Sequence, residues 1–294
     1  MDRTVFVIVL NWNGKDVIAP CLASLAKVSD PPLETIVVDN ASSDGSAETV
    51  RREFPRVELI VNGRNLLFAE GNNVGIRRAI QRGAGRLLLL NNDTEVDPAF
   101  AARMLEALDE SPRVGVVGPK ILYHDDPKRI WYGGGGFSPL LWVPTHEHIR
   151  RIDGSFPERR EETQWVSGCA MLVRRTVIDS IGLLDPSYRI YCEDVDFCLR
   201  ARRAGWACVY EPRAVVRHKV SASSGGGMTP FKLENRLAST ARLFRRFKPR
   251  AWRLAMAPLH AAAFAAIVLG LLATGRLALL RGALAGASRA LRGD

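Results

Sequence analysis

Three short stretches hold residue types that could do chemistry. The first is "NND", Asn91–Asp93, two amides and a carboxylate closing the leucine run "RLLLL". Asn and Asp make good turns, and the same oxygens suit a hard cation such as Mg2+ or Mn2+, which often shares one or two carboxylates with a substrate's phosphates. The second is His218, at the end of a short late apolar run; with Asp93 it makes a metal-site hypothesis that neither residue makes alone. The third is "YCEDVDFCLRARRAG", which sets Glu193, Asp194 and Asp196 at the start of a helix. Carboxylates there favour the helix dipole, and one of them could instead take a proton from an incoming hydroxyl as a general base.

These stretches need elements to position them. Short β-rich runs recur at 4–10, 34–38, 57–61, 86–90 and 114–118, with helix-like segments between, which predicts a mostly parallel α/β sheet with helices on its faces. Ser46 is placed to cap one helix, Asn72 or Asn73 lies near the start of a second that ends at Gly83, and Asp97 before Pro98 opens a third over about 99–109. From 120 to 164 the pattern dissolves into Gly, Pro, His and paired charges, the mark of a long functional loop or an insertion. "WVSGCAMLVRR" then reads as a strand, and "WACVYEP" and "AVVRHK" as two more.

In open α/β sheets ligands bind beyond the carboxyl ends of the strands. The early runs all end in polar residues: "NWNG" from Asn11, "DNASSDGS" from Asp39, "NGRNLLFAEGNN" from Asn62, and "NND". Four such endings on one edge suggest a polar ligand. Trp12 offers either a stacking face for a base or a core side chain, and Asp39 either accepts from a base or ribose or closes an Asx turn. The dinucleotide fingerprint and the P-loop are both missing after the first run, which argues against NAD and P-loop hydrolysis.

The formal charge of +10 is not spread evenly: residues 1–228 carry 29 basic and 29 acidic side chains, residues 229–294 carry 12 and 2. That map predicts two regions, a main domain over 1–228 and a basic, partly apolar helical tail over 229–294 that meets an anionic membrane surface rather than nucleic acid. Residues 254–275 lack any charged side chain, enough helix to cover roughly 33 Å. An interfacial or shallow helix, a true span and packing against the protein are the three outcomes for it. No signal peptide is expected ahead of "MDRTVFVIVL", and the five cysteines, without a C-x-x-C pair, predict buried thiols in a reducing compartment.

In order along the chain, "VIVLNWNG", "IVVDNASSDGS", "NLLFAEGNNVGI", "LLLLNNDTEVDP", "WVSGCAMLVRR", "YCEDVDFCLRARRAG" and "VVRHKVSASSG" resemble family 2 glycosyltransferases of the GT-A fold, in the bacterial rhamnosyltransferase-like branch. The resemblance implies that Asn11 and Trp12 line the nucleoside pocket, that Asp39 holds the base, and that Asn65, Gly71, Asn72 and Asn92 sit near the nucleotide and diphosphate. The family's D-x-D metal motif falls on Asn91–Asp93, so Asp93 would hold Mg2+ or Mn2+ with help from His218, and Asn91 replaces the motif's first acid. It makes Asp194 the catalytic base, with Glu193 beside it, and puts Gly168 near the sugars and Trp165 near the acceptor.

The implied function is an inverting, metal-dependent transfer of a sugar from a nucleoside-diphosphate donor to a hydroxyl of a glycan or lipid-linked acceptor at the cytoplasmic membrane face. The branch suggests dTDP-rhamnose, and UDP-sugars would use much the same pocket. A sugar-nucleotide-binding subunit without activity is the competing reading, against which Asp93 and the Glu193-Asp194 pair weigh. A nucleotidyltransferase is disfavoured because no Gly- and Arg-rich triphosphate loop follows the first run.

Overall fold

The computed structural model describes residues 3–220 and 227–292, so the small-residue segment 221–226 within the "VVRHKVSASSG" and "SASSGGGMTP" stretches lies outside the described residues. In chain order the elements are β1 (Val5–Asn11), α1 (Ile18–Leu25), β2 (Leu33–Asp39), α2 (Ser46–Glu53), β3 (Glu58–Val61), α3 (Leu67–Gln81), β4 (Arg86–Asn91), β5 (Thr94–Val96), α4 (Phe100–Asp109), β6 (Val114–Tyr123), β7 (Ile130–Tyr132), β8 (Gly135–Phe137), β9 (Pro144–His146), β10 (Glu161–Glu162), β11 (Ala170–Arg174), α5 (Arg175–Ile181), α6 (Glu193–Arg203), β12 (Ala207–His218), α7 (Pro230–Phe247), α8 (Arg250–Ala273) and α9 (Leu277–Arg292). They fall into two compact units. One holds residues 3–136, 146–185 and 194–220, the other 137–145, 186–193 and 227–292.

The first unit is built on one sheet in the order β10-β12-β6-β11-β4-β1-β2-β3, with β5 on β12 and β7 on β6. Strands β3, β2, β1 and β4 are parallel, so their carboxyl ends share one edge: Asn11 lies opposite Asp39, Asp39 opposite Val61, and Leu10 opposite Asn91. Both faces of β1 are covered, one of them by α3. Cβ atoms placed on Gly71 and Gly75 of α3 would lie 2.5 Å from Leu10 and Ile8, while Val7 and Val9, which point the other way, are also fully buried. This two-sided burial is why the strand runs read as unbroken apolar stretches, Leu87–Leu90 included.

Four expectations change. The helix placed from Asn72 begins earlier, at Leu67. Ser46 is the first helical residue of α2 rather than its cap; Gly45 stands at the cap position, and Asp44 Oδ1 before it accepts from Ser46 N at 3.0 Å. The two late strands are one, β12, whose register slips between Glu211 and Val215 around Pro212. The 120–164 region is not shapeless either: it contributes the short strands β7, β8, β9 and β10.

The second unit contains α7, α8 and α9. α9 packs against α7, where Cβ atoms on Gly282 and Gly286 would lie only 2.5 and 2.6 Å from the carbonyl oxygens of Pro230 and Glu234. No residue of α8 is fully buried, although the helix touches its neighbours on one side, where the His260 ring stacks on Phe244 at 4.8 Å between centroids. It is long and apolar enough to cross a membrane.

Candidate active site

The strand tips of the first unit are tied into one polar network. Asn11, fully buried at the end of β1, donates through Nδ2 to Asp39 Oδ2 and to Ser46 Oγ, both at 2.8 Å, while its Oδ1 accepts from Asn92 Nδ2 at 2.7 Å. Asp39 also accepts from Ser42 N at 2.8 Å and from the Ser42 hydroxyl at 2.6 Å. Its carboxylate therefore closes an Asx turn, the structural alternative raised for it, and sits wholly buried. Trp12, next along, is 43% exposed, so it is not a core side chain and its ring is open to a ligand.

Gly14 lets this network close. A Cβ there would fall 2.2 Å from Asn92 Nδ2 and 2.3 Å from Asn11 Oδ1. On the other side, Asn65 Oδ1 accepts from Leu67 N at 2.8 Å and from Asn40 Nδ2 at 3.2 Å, and Asn62 Nδ2 donates to Asn40 Oδ1 at 2.8 Å. Asn72 turns back onto its own helix, donating to the Phe68 carbonyl at 2.9 Å. Each of the three loops after β1, β2 and β3 holds one non-glycine residue at positive φ: Asn13 at 49°, Ala41 at 59° and Leu67 at 63°. Strain of this kind persists where surrounding contacts fix it and clusters at ligand sites.

Asp93 and His218, far apart in sequence, meet because β5 pairs with the end of β12: Thr94 lies opposite His218, and Lys219 N donates to the Asp93 carbonyl at 2.9 Å. Both side chains are 5% exposed, and His218 Nε2 approaches Asp93 Oδ1 at 3.1 Å. That approach lacks the alignment of a hydrogen bond, so Asp93 Oδ1 and His218 Nδ1 are buried atoms with no hydrogen-bond partner. Burial opposes a charged imidazole, yet Cys169 and the Asp93 carboxylate beside it push His218 up to about 10. Burial also raises the Cys169 thiol, so near neutral pH the charge favouring imidazolium is that of Asp93. One buried carboxylate oxygen and one imidazole, held together and short of partners, fit a partial ligand set for a divalent cation whose other ligands come from elsewhere.

Asp194 lies in the first turn of α6 in this unit. Its Oδ2 accepts from Gly168 N and its Oδ1 from Val195 N, both at 2.8 Å. Burial raises its pKa above the usual carboxylate range, against the pull of those N–H donors. Gly168 backs it closely: a Cβ there would meet Phe68 at 3.0 Å and Asp194 Cβ at 3.4 Å. The neighbouring Glu193 is buried and is preceded by Tyr191 and Cys192, both in the left-handed region at 70° and 68°.

Trp165 is not at the surface. It is 3% exposed, donates from Nε1 to the Gly136 carbonyl at 2.8 Å, and lies where a Cβ on Gly135 would be 2.5 Å from its ring. Gly135 leaves room for this indole, which lies in the interior of the first unit. Sequence reasoning passed over Asn40, Ser42 and Asp44, whose placement in "DNASSDGS" was a signal for them, and Cys169, for which there was none.

The order of parallel strands and the polar tips define a GT-A protein. The chain belongs to the glycosyltransferase like family 2, which it matches over residues 2–240. It is 30% identical over 227 residues to the N-acetylglucosaminyl-diphospho-decaprenol L-rhamnosyltransferase of Mycobacterium tuberculosis, spanning 69% of this chain and 72% of that relative. A dTDP-rhamnosyl transferase of Shigella flexneri is 22% identical over 208 residues, 70% of this chain and 65% of the relative. The mannosyltransferase of Pyrobaculum calidifontis, solved with GDP-Man and Mn2+, has the same fold, with a TM-score of 0.61 at 17% identity over 98% of this chain and 86% of that one.

Proposed function

We propose that this protein is an inverting glycosyltransferase that moves a sugar, rhamnose first among the candidates, from a dTDP- or UDP-linked donor to a hydroxyl of a glycan or lipid-linked acceptor. The observation that carries this reading is Asp194: a carboxylate with a raised pKa, held by two backbone N–H groups, in a chain of this family. The rhamnosyltransferase relatives support the donor sugar and the lipid-linked acceptor.

On this reading the base of the donor stacks on Trp12, and the network around Asn11, Asp39, Asn65, Gly71, Asn72 and Asn92 shapes its pocket. Asp93 and His218 would hold Mg2+ or Mn2+, which would offset charge on the nucleoside-diphosphate leaving group. Asp194 takes the proton of the acceptor hydroxyl as its oxygen attacks the anomeric carbon. The bond from that carbon to the diphosphate oxygen breaks on the opposite face, so configuration inverts. A raised pKa makes Asp194 a stronger base than an ordinary carboxylate. Glu193 positions the acceptor side, Gly168 orients Asp194, and Trp165 supports the acceptor side from beneath rather than by contact. The catalytic domain is residues 1–228, and the tail, 229–294, brings it to the anionic cytoplasmic face of the membrane.

The test is a panel of nucleotide sugars with a polyprenyl-diphosphate-linked acceptor, with and without Mn2+ or Mg2+, scoring nucleoside diphosphate released and the anomer formed. Cation-dependent release with an inverted product is expected. Binding of a donor without turnover in any combination would favour the binding-subunit reading.

A further inference from the structure

The tail helices decide how the chain meets the membrane. α7 and α8 are joined by only two residues and α8 and α9 by three. Gly282, near the start of α9, lies against Pro230 at the start of α7, and Gly286 against Glu234 one turn on. α8 therefore begins at one end of α7 and ends near the other: it runs back alongside α7. Arg289 fixes the same register, donating to Asn235 Oδ1 at 2.9 Å and Glu234 Oε1 at 3.2 Å.

A spanning α8 would put its two ends on opposite sides of a hydrocarbon core about 30 Å thick, and would draw the two ends of α7 with it. α7 carries Lys232, Glu234, Arg236, Arg242, Arg245 and Arg246. Basic side chains are costly at bilayer depth, and the five on α7 together outweigh what an alanine-rich helix gains. The segment 137–145 makes the same point. Leu141 gives its carbonyl to His260 Nε2 at 3.1 Å, ten residues into α8, so spanning would carry irregular backbone towards mid-bilayer.

We propose that α8 lies in the plane of the membrane surface, with α7 and α9 as its support, and that the partner is an anionic lipid headgroup layer. Leu140, Leu254 and Leu269 are each more than 60% exposed and provide apolar surface for insertion. Lys248 sits 4.0 Å over the ring of Trp142 and 5.1 Å over that of Trp252, a basic and aromatic cluster of the type that settles at headgroup level. Such a helix holds by apolar insertion together with attraction to anionic lipid. The inference deepens the membrane association proposed above and does not depend on the donor or acceptor.

Inside-out vesicles from cells expressing the full chain test it. Single cysteines are introduced by Ala255→Cys, Ala262→Cys and Thr274→Cys, against a background in which the five native cysteines are buried. A membrane-impermeant maleimide added outside should label both end positions to the same extent. Labelling of Ala255→Cys alone, with Thr274→Cys reacting only after detergent, means a span and overturns the geometry while leaving membrane association intact. In parallel, purified protein should float with phosphatidylglycerol-containing vesicles and not with phosphatidylcholine vesicles, and Leu254→Glu with Leu269→Glu should lose most of that binding. Failure to bind either vesicle overturns the membrane partner itself, and equal binding to both overturns the anionic preference.

Discussion

Ser239, in the middle of α7, donates its hydroxyl to the carbonyl of Ile190 at 2.9 Å, three residues before Glu193. The same helix reaches the rest of that segment. The Arg242 guanidinium lies 6.0 Å over the Tyr188 ring, and Phe231 faces Arg189 at 5.9 Å. Tyr191 and Cys192, which follow, are held in left-handed backbone. The C-terminal helices thus share a compact unit with the residues leading into the proposed catalytic motif.

Deleting residues 229–294 should therefore do more than release the protein from membranes. The prediction is loss of most transfer activity, even towards a soluble acceptor, with nucleotide binding at the strand tips retained. Ser239→Ala removes a hydrogen bond worth about 0.5–1.5 kcal/mol and should lower kcat with little change in donor KM. Full activity of the truncated chain in a coupled nucleoside-diphosphate assay would refute the coupling.

Asp194→Asn should bind donor normally and lose about 10²–10⁴-fold in kcat. Its stability carries a second signature. Because burial raises the pKa of Asp194, its contribution to stability is fully present below the unfolded value and is lost as pH rises through the folded one. Wild type should thus lose ground to the Asn variant as pH rises from the ordinary carboxylate range through the raised pKa, and Tm compared along that rise checks it. For wild type, the acid limb of kcat against pH should fall above the ordinary Asp range.

Trp12→Ala should weaken nucleotide binding by about tenfold or more, in line with about 1–3 kcal/mol for stacking on an aromatic ring. With Trp12 at 43% exposure, the fold should be unaffected, so unchanged Tm with weakened titration of nucleoside diphosphate is the expected pair of results.

Gly14→Ala forces a Cβ into Asn92 and Asn11 and should cost about 1–3 kcal/mol through overpacking. Donor KM should rise sharply with it, because the Asn11–Asn92 contact cannot survive; a variant with normal KM would show the network to be dispensable.

His218→Ala should raise the Mn2+ concentration for half-maximal binding by about tenfold or more, read by calorimetry with nucleoside diphosphate present. An unchanged titration would assign the cation to Asp93 alone.

Strands β1 and β4 were legible because burial on both faces leaves a run with no alternation to misread. The start of α3 was not: no side chain caps it, and its boundary is set by Leu67 at positive φ, which no residue pattern announces. Pro212 disguised β12 as two strands, although Arg160 and Arg213 both reach the buried Glu211 and carry the chain through the slip. Asp93 and His218 could be paired only as a hypothesis, since their meeting depends on β5 and β12, whose pairing spacing cannot express. Trp165 went to the interior because the glycine run that admits it looked like loop.

The shared edge of β1, β2, β3 and β4 has an evolutionary corollary. Its polar tips all come from one uninterrupted stretch, Asn11 to Asp93, whereas Gly168, Asp194 and His218 arrive later along the chain. Recombination near residue 110, between α4 and β6, would exchange the nucleotide-facing half of the protein as a single inherited block. On the reading proposed above, such an exchange would alter donor preference and leave the attacking carboxylate, Asp194, in place.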